Sequence, residues 1–147
     1  MTNEKIKTLE EAVILSEIAS SAGALMLANG AEIYRVEDTV ERIIRSKEAI
    51  KDVDVFSSYN MIMISFSYKG EIHTNMRRVR NRGNNLYYVD RVNTFSRNFS
   101  AGLYSLDEAL MEIDKIKKEK SVPIYLKSLG ATLAAGSYSI LLGGNII

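Results

Sequence analysis

Apolar residues after Thr8 recur at three- and four-residue spacing, Ala12, Leu15, Ala19, Ala22 and Met26, which predicts a helix with one buried stripe. Thr8 and Glu11 form a capping-box pair at its start, and Asn29-Gly30 supplies residues able to end it in a left-handed conformation. A second helix is predicted from about Ala31, with Ile33, Val36, Val40, Ile43 and Ile44 facing inward and Arg35, Asp38, Arg42 and Arg45 facing away. From Val53 the period changes to two. Val53 and Val55 alternate with Asp52 and Asp54, Ile62, Ile64, Phe66 and Tyr68 share one face, and Lys69-Gly70 turns the chain into a returning strand over 71–79. Residues 81–85 break the pattern. A third helix follows over 86–101, burying Val89, Val92, Phe95 and Phe99; Ser105 and Glu108 then cap a fourth, with Leu106, Ala109, Leu110 and Ile113 inward. The class is α+β, with helices around a small antiparallel three-stranded sheet.

The last 20 residues, 128–147, hold no charged side chain, and a run of that length is enough for one helix to cross a bilayer. Ala131, Ala135, Ser139 and Gly143 give it a face of small residues suited to close helix packing. The expectation is therefore a domain over 1–122 followed by a C-terminal transmembrane helix over 123–147, the lone Pro123 marking a helix start. A buried terminal helix of a soluble domain is the other reading of the same run. Lys115, Lys117, Lys118, Lys120 and Lys127 flank it, and a basic flank places the preceding domain in the cytoplasm. The N-terminus mixes acidic and basic residues before any apolar run, unlike a secretory signal. Absence of cysteine excludes disulfides and thiolate chemistry, and a net charge of +1 leaves only local charge to argue from.

Local charge is densest in the second helix, where Glu32, Arg35, Glu37 and Asp38 follow a glycine. Helical projection places Glu32 and Glu37 at opposite edges of the apolar stripe, where a carboxylate needs a partner; Arg35 stands three residues from both Glu32 and Asp38. Such a group suits a polar site or a solvated face with local ion pairs. Arg77, Arg78, Arg80 and Arg82 form a second cluster, fit for a small anionic or zwitterionic ligand through paired guanidinium hydrogen bonds, or for guarding a sheet edge. Nucleic acid, with Tyr87 and Tyr88 stacking, is disfavoured by the near-zero net charge. His73 alone makes no metal site, and no serine sits in a nucleophile elbow.

The segment Leu27-Ala28-Asn29-Gly30-Ala31-Glu32-Ile33-Tyr34-Arg35-Val36-Glu37-Asp38-Thr39 resembles the hallmark of the threonine/serine exporter family. Met76-Arg77-Arg78-Val79-Arg80, Asn84-Asn85-Leu86, Val92-Asn93, Ser96-Arg97 and Leu141-Leu142-Gly143-Gly144 extend the likeness along nearly the whole chain. The resemblance implies the N-terminal portion or a subunit of a membrane exporter of threonine and serine, or of small organic acids such as succinate. It also implies a lipid bilayer, a homo-oligomer or second membrane subunit as partners, and a place in the plasma (cell inner) membrane. No nucleic acid, cofactor, metal or enzymatic activity is implied. Family members continue through further membrane helices, so the chain reads as truncated or wholly dependent on partners. The residues carried over to its polar site are Glu32, Arg35, Glu37, Arg77 and Asn93. The alternatives are a membrane-tethered hydrolase using Glu32 or Glu37 as general base and a structural oligomerisation domain.

Overall fold

A computed structural model describes residues 4–121 and 124–143. The chain is α+β, in the order α1 (Leu9–Ala28), α2 (Ile33–Arg45), β1 (Ile50–Ser57), β2 (Met61–Tyr68), β3 (Glu71–Arg78), α3 (Leu86–Ser100), α4 (Leu106–Lys118) and α5 (Ile124–Leu141). The three strands form one antiparallel sheet with β2 in the centre. Both predicted capping boxes are present: the Thr8 and Ser105 hydroxyls accept from the amides of Glu11 and Glu108, whose carboxylates accept in return from the capping backbone.

Helix α1 is the axis of the domain and packs against α2, α3, α4, β2 and β3. Among the described residues it is the one helix long and apolar enough to cross a membrane, yet more than half of its apolar window is buried. Its small residues explain how one helix meets neighbours on so many sides. Ser16, Ala19, Ser20, Ser21, Ala22 and Gly23 are all buried and let adjacent backbones approach closely. Ile62, Ile64, Phe66 and Tyr68 present the sheet's inner face to this layer, as their alternation predicts.

Several inward assignments need correction. Ile33 is exposed, because it is the first residue of α2 and lies beyond the edge of the core. Leu110 is also exposed: α4 packs through Leu106, Ala109, Ile113 and Ile116, which leaves Leu110 on the flank. Strand β1 starts at Ile50, and a bulge between Lys51 and Asp54, with Asp52 at φ 48°, interrupts the simple alternation.

Helix α5 begins four residues ahead of the charge-free run and covers most of it, and its described side chains are exposed throughout, including Leu126, Leu129, Leu133 and Ile140. Pro123, the proposed boundary at 122/123 and residues 144–147 lie outside the described residues.

A basic cleft between the second and third helices

Gly30, at φ 87°, makes the sharp exit from α1 that starts α2. A side chain there would be strained and would crowd Asn84 and the Gly83 carbonyl. From this start α2 presents Tyr34, Arg35, Asp38, Thr39 and Arg42 to one side, at the spacing of a single helical face. Asn93 and Arg97, one turn apart on α3, face them across a cleft of about 510 Å³.

The floor of the cleft is buried and hydrogen-bonded. The Thr39 hydroxyl donates to Asn93 Oδ1 at 3.4 Å, and the Ser96 hydroxyl donates to the Asn93 carbonyl at 2.9 Å. Arg42 spans the two helices, its Nη2 2.6 Å from Asp38 Oδ2 and its Nη1 donating to Ser96 Oγ at 3.3 Å. Three guanidinium groups thus line the cleft against the single carboxylate of Asp38, which Arg42 already engages. The Arg35 and Arg97 side chains make no hydrogen bond or ion pair among the described residues. Unpaired guanidinium groups beside an amide and a hydroxyl are suited to a small carboxylate or other compact anion.

Of the five residues expected at a polar site, the fold brings Arg35 and Asn93 together here. Glu32 is exposed at the N-cap of α2, and its carboxylate raises the Tyr34 pKa, first through hydrogen bonding to the hydroxyl and then through its charge. It therefore reaches the cleft rim only through Tyr34. Glu37 leaves on another side of α2 and accepts from the Ser57 amide at 2.7 Å, tying α2 to the end of β1. Neither glutamate lines the cleft. Arg77 is on β3 and is held against α1: its Nη2 lies 2.6 Å from Glu17 Oε2 and its Nε donates to Ser20 Oγ at 3.2 Å. Asn75 donates to the same glutamate at 2.7 Å. The anticipated pairing of Arg35 with Asp38 is replaced by Arg42 with Asp38, a four-residue spacing. Arg42 lies on the outward face of α2, as its spacing predicts, but nothing in that spacing marks it as a site residue, and Arg97 enters only through the family likeness. The three arginines sit on separate turns of two helices, so no local spacing exposes them as a group.

A second network holds the chain just ahead of α5. Arg91 grips Glu119 with two bonds, Nη2 to Oε1 at 2.7 Å and Nε to Oε2 at 2.9 Å, while the Tyr87 hydroxyl donates to Oε2 at 2.8 Å. The Tyr88 hydroxyl donates to the Glu119 carbonyl, and Asn85 Nδ2 donates to Ser121 Oγ at 2.9 Å. The two tyrosines considered as base-stacking residues are thus engaged in fastening this segment. Arg91 and then Tyr87 hold the Glu119 pKa down to about 2 from an ordinary 4.5. A depressed carboxylate pKa contributes stability that is complete above the ordinary value and is lost as pH falls through the folded one. The clasp should therefore be intact above pH 4.5 and release toward pH 2. Arg91→Ala is expected to return the Glu119 pKa toward its ordinary value and to increase protease cleavage at residues 119–121. An unchanged carboxyl titration in the NMR spectrum of that variant would count against the clasp.

Together the fold and cleft define an α+β domain with an arginine-lined cleft between two helices, followed by a helix with exposed apolar side chains. The chain belongs to the ThrE family of threonine/serine exporters, whose model matches residues 17–147. Membrane association, transmembrane transport and amino-acid export come with that membership. Searches of curated proteins and of solved structures returned no match.

Proposed function

We propose that this chain is the N-terminal portion, or a subunit, of an exporter of threonine, serine or small organic acids such as succinate. In this reading residues 1–122 are a cytoplasmic domain, residues 123–147 the first membrane helix, and the cleft between α2 and α3 the place where the substrate carboxylate is recognised. The observation that carries it is the pair Arg35 and Arg97, free of ion pairs among the described residues and lining one cleft with Asn93 and Thr39. Asp38 adds an acceptor for a substrate ammonium group, which would favour an amino acid over a dicarboxylate. Glu32 supports the site by holding Tyr34 at its rim. Glu37 and Arg77 support it from a distance, by fixing α2 to β1 and β3 to α1. The exposed leucines of α5 support the membrane helix, since such a surface requires lipid or other helices to cover it.

Titrating the full chain in detergent with L-threonine, L-serine and succinate tests the cleft. Arg35→Ala and Arg97→Ala are each expected to weaken binding by roughly 10-fold or more, the worth of a charge-assisted hydrogen bond. Equal affinity in the double variant and the parent, or no binding to the parent, would remove the cleft from the transport reading. Topology has its own test, because the chain has no cysteine. Lys120→Cys, in cells, should react with an impermeant maleimide only after the cytoplasmic side is opened; labelling of intact cells would reverse the orientation.

A further inference from the structure

The outer face of the sheet, away from α1, is uncovered at one end. Pairing sets Phe56 of β1 opposite Met63 of β2 and Met63 opposite Met76 of β3, a continuous apolar row across all three strands. Phe56 is 57% and Met76 64% exposed. The next row toward the sheet end pairs Met61 with Arg78, and beyond it the β1–β2 turn carries Tyr59, 71% exposed. Arg82 reaches back to this turn, donating to the Tyr59 carbonyl at 2.9 Å and lying 4.2 Å from its ring centre. Arg80 lines the same hollow, about 670 Å³ in volume, with Tyr59, Asn60, Arg78 and Arg82. The Arg78 and Arg80 side chains make no hydrogen bond or ion pair among the described residues.

An apolar row rimmed by arginines and an aromatic ring matches the chemistry of a membrane interface, where rings and thioethers enter the acyl boundary and cations meet anionic headgroups. The position of the patch points the same way. The loop bearing Arg80 and Arg82 runs directly into Asn85, which bonds Ser121, three residues before α5 begins. Three residues of extended chain reach about 10 Å at most. The basic patch and the departure point of α5 therefore share one end of the domain. A second copy of the chain is a poorer occupant, because two copies of this face bring two arginine clusters into one interface with no carboxylate lining either hollow. Nucleic acid leaves the Phe56, Met63 and Met76 row without a partner.

We propose that this end of the sheet docks on the anionic leaflet of the membrane, with Arg78, Arg80 and Arg82 on lipid phosphates or carboxylates and Tyr59, Phe56 and Met76 at the acyl boundary. The proposal rests on the membrane attachment argued above, and it would hold the domain flat against the bilayer rather than hanging from it.

The chain has no tryptophan, so Tyr59→Trp provides a single indole. The full chain carrying it is placed in lipid nanodiscs of neutral phosphatidylcholine or with phosphatidylserine added. In the anionic discs the indole emission should shift to the blue and be quenched by brominated acyl chains, and high salt should reverse both. Arg78→Glu with Arg80→Glu should reduce the docked fraction about 25-fold or more, taking each basic residue as roughly a fivefold factor at an anionic surface. Met76→Glu, which keeps both arginines, should abolish quenching by the acyl chains. Identical emission in neutral and anionic discs overturns the proposal. So does a blue shift that needs only rising protein concentration in detergent, which assigns the face to a second copy, or one produced by an oligonucleotide and not by anionic lipid. Retention in neutral discs reads the membrane helix separately. A chain that fails to enter them, yet shows lipid-dependent quenching with added anionic vesicles, keeps the patch and loses the helix.

Discussion

Phe95→Ala is expected to destabilise the domain by about 3–5 kcal/mol, the usual cost of removing a buried phenylalanine and leaving a cavity. For a domain of this size that lowers the thermal midpoint by more than about 10 °C. Phe95 is only 2% exposed and stacks on both Phe99, at 6.0 Å between ring centres, and Tyr104, at 5.7 Å. It joins the inner side of α3 to the loop leading into α4, so the cavity has aromatic walls on two sides that cannot both collapse into it. The loss should reach the cleft, because Asn93 and Arg97 stand on the opposite side of the same helical turns. Circular dichroism melting checks the first effect and substrate titration below the midpoint the second. A midpoint shift under about 3 °C would mean that this aromatic group is not the core contact the packing describes.

Gly23→Val is expected to cost about 3 kcal/mol through overpacking. A Cβ at Gly23 would sit 2.5 Å from Val40 Cγ2 and 2.9 Å from Ile62 Cδ1, closer than side-chain carbons normally approach. Val40 is a β-branched residue on a helix, with little rotamer freedom to escape. The strain must then be relieved by moving α2 away from α1, and α2 carries Arg35, Asp38, Thr39 and Arg42. Gly23→Ala should cost less, because the gain in helix propensity, about 1 kcal/mol, offsets part of the clash. Combining Gly23→Ala with Val40→Ala should cost less than the two singles added together, since the second truncation removes the closer of the two clashes. Strict additivity in thermal or urea melts would show that the close approach of these helices is not the cause.

Much of the fold was legible because each element carries its own periodicity. The stripe of α1, the alternation of β2 and the two capping boxes all depend on neighbours within four residues, which sequence displays directly. Errors arose where the edge of a packed surface decides burial. Ile33 and Leu110 have the right residue type for the core, but one begins its helix beyond the core and the other flanks the contact stripe. The site was legible only in part. Glu32, Arg35 and Glu37 fall within six residues at the start of α2, yet Arg35 faces α3, Glu37 faces β1 and Glu32, at the N-cap, reaches only the cleft rim, through Tyr34. Arg77, drawn into the same list by likeness, is paired with Glu17, 60 residues away in sequence.

The sequence alone determined the α+β class, the order of the elements, the exporter family and the charge-free run at the C-terminus, because these are carried by local period, residue type and motif order. Tertiary structure decided which charges meet. It separated Arg77 and Glu37 from Arg35, and it brought Arg42 and Arg97 to the cleft from separate helices. It also placed the Tyr59 and arginine patch beside the departure point of α5, and made the most apolar described helix the buried axis of the domain. Electrostatic and packing partners are chosen by distances in space, and the crossing of α1, α2 and α3 around small residues such as Gly23 sets those distances.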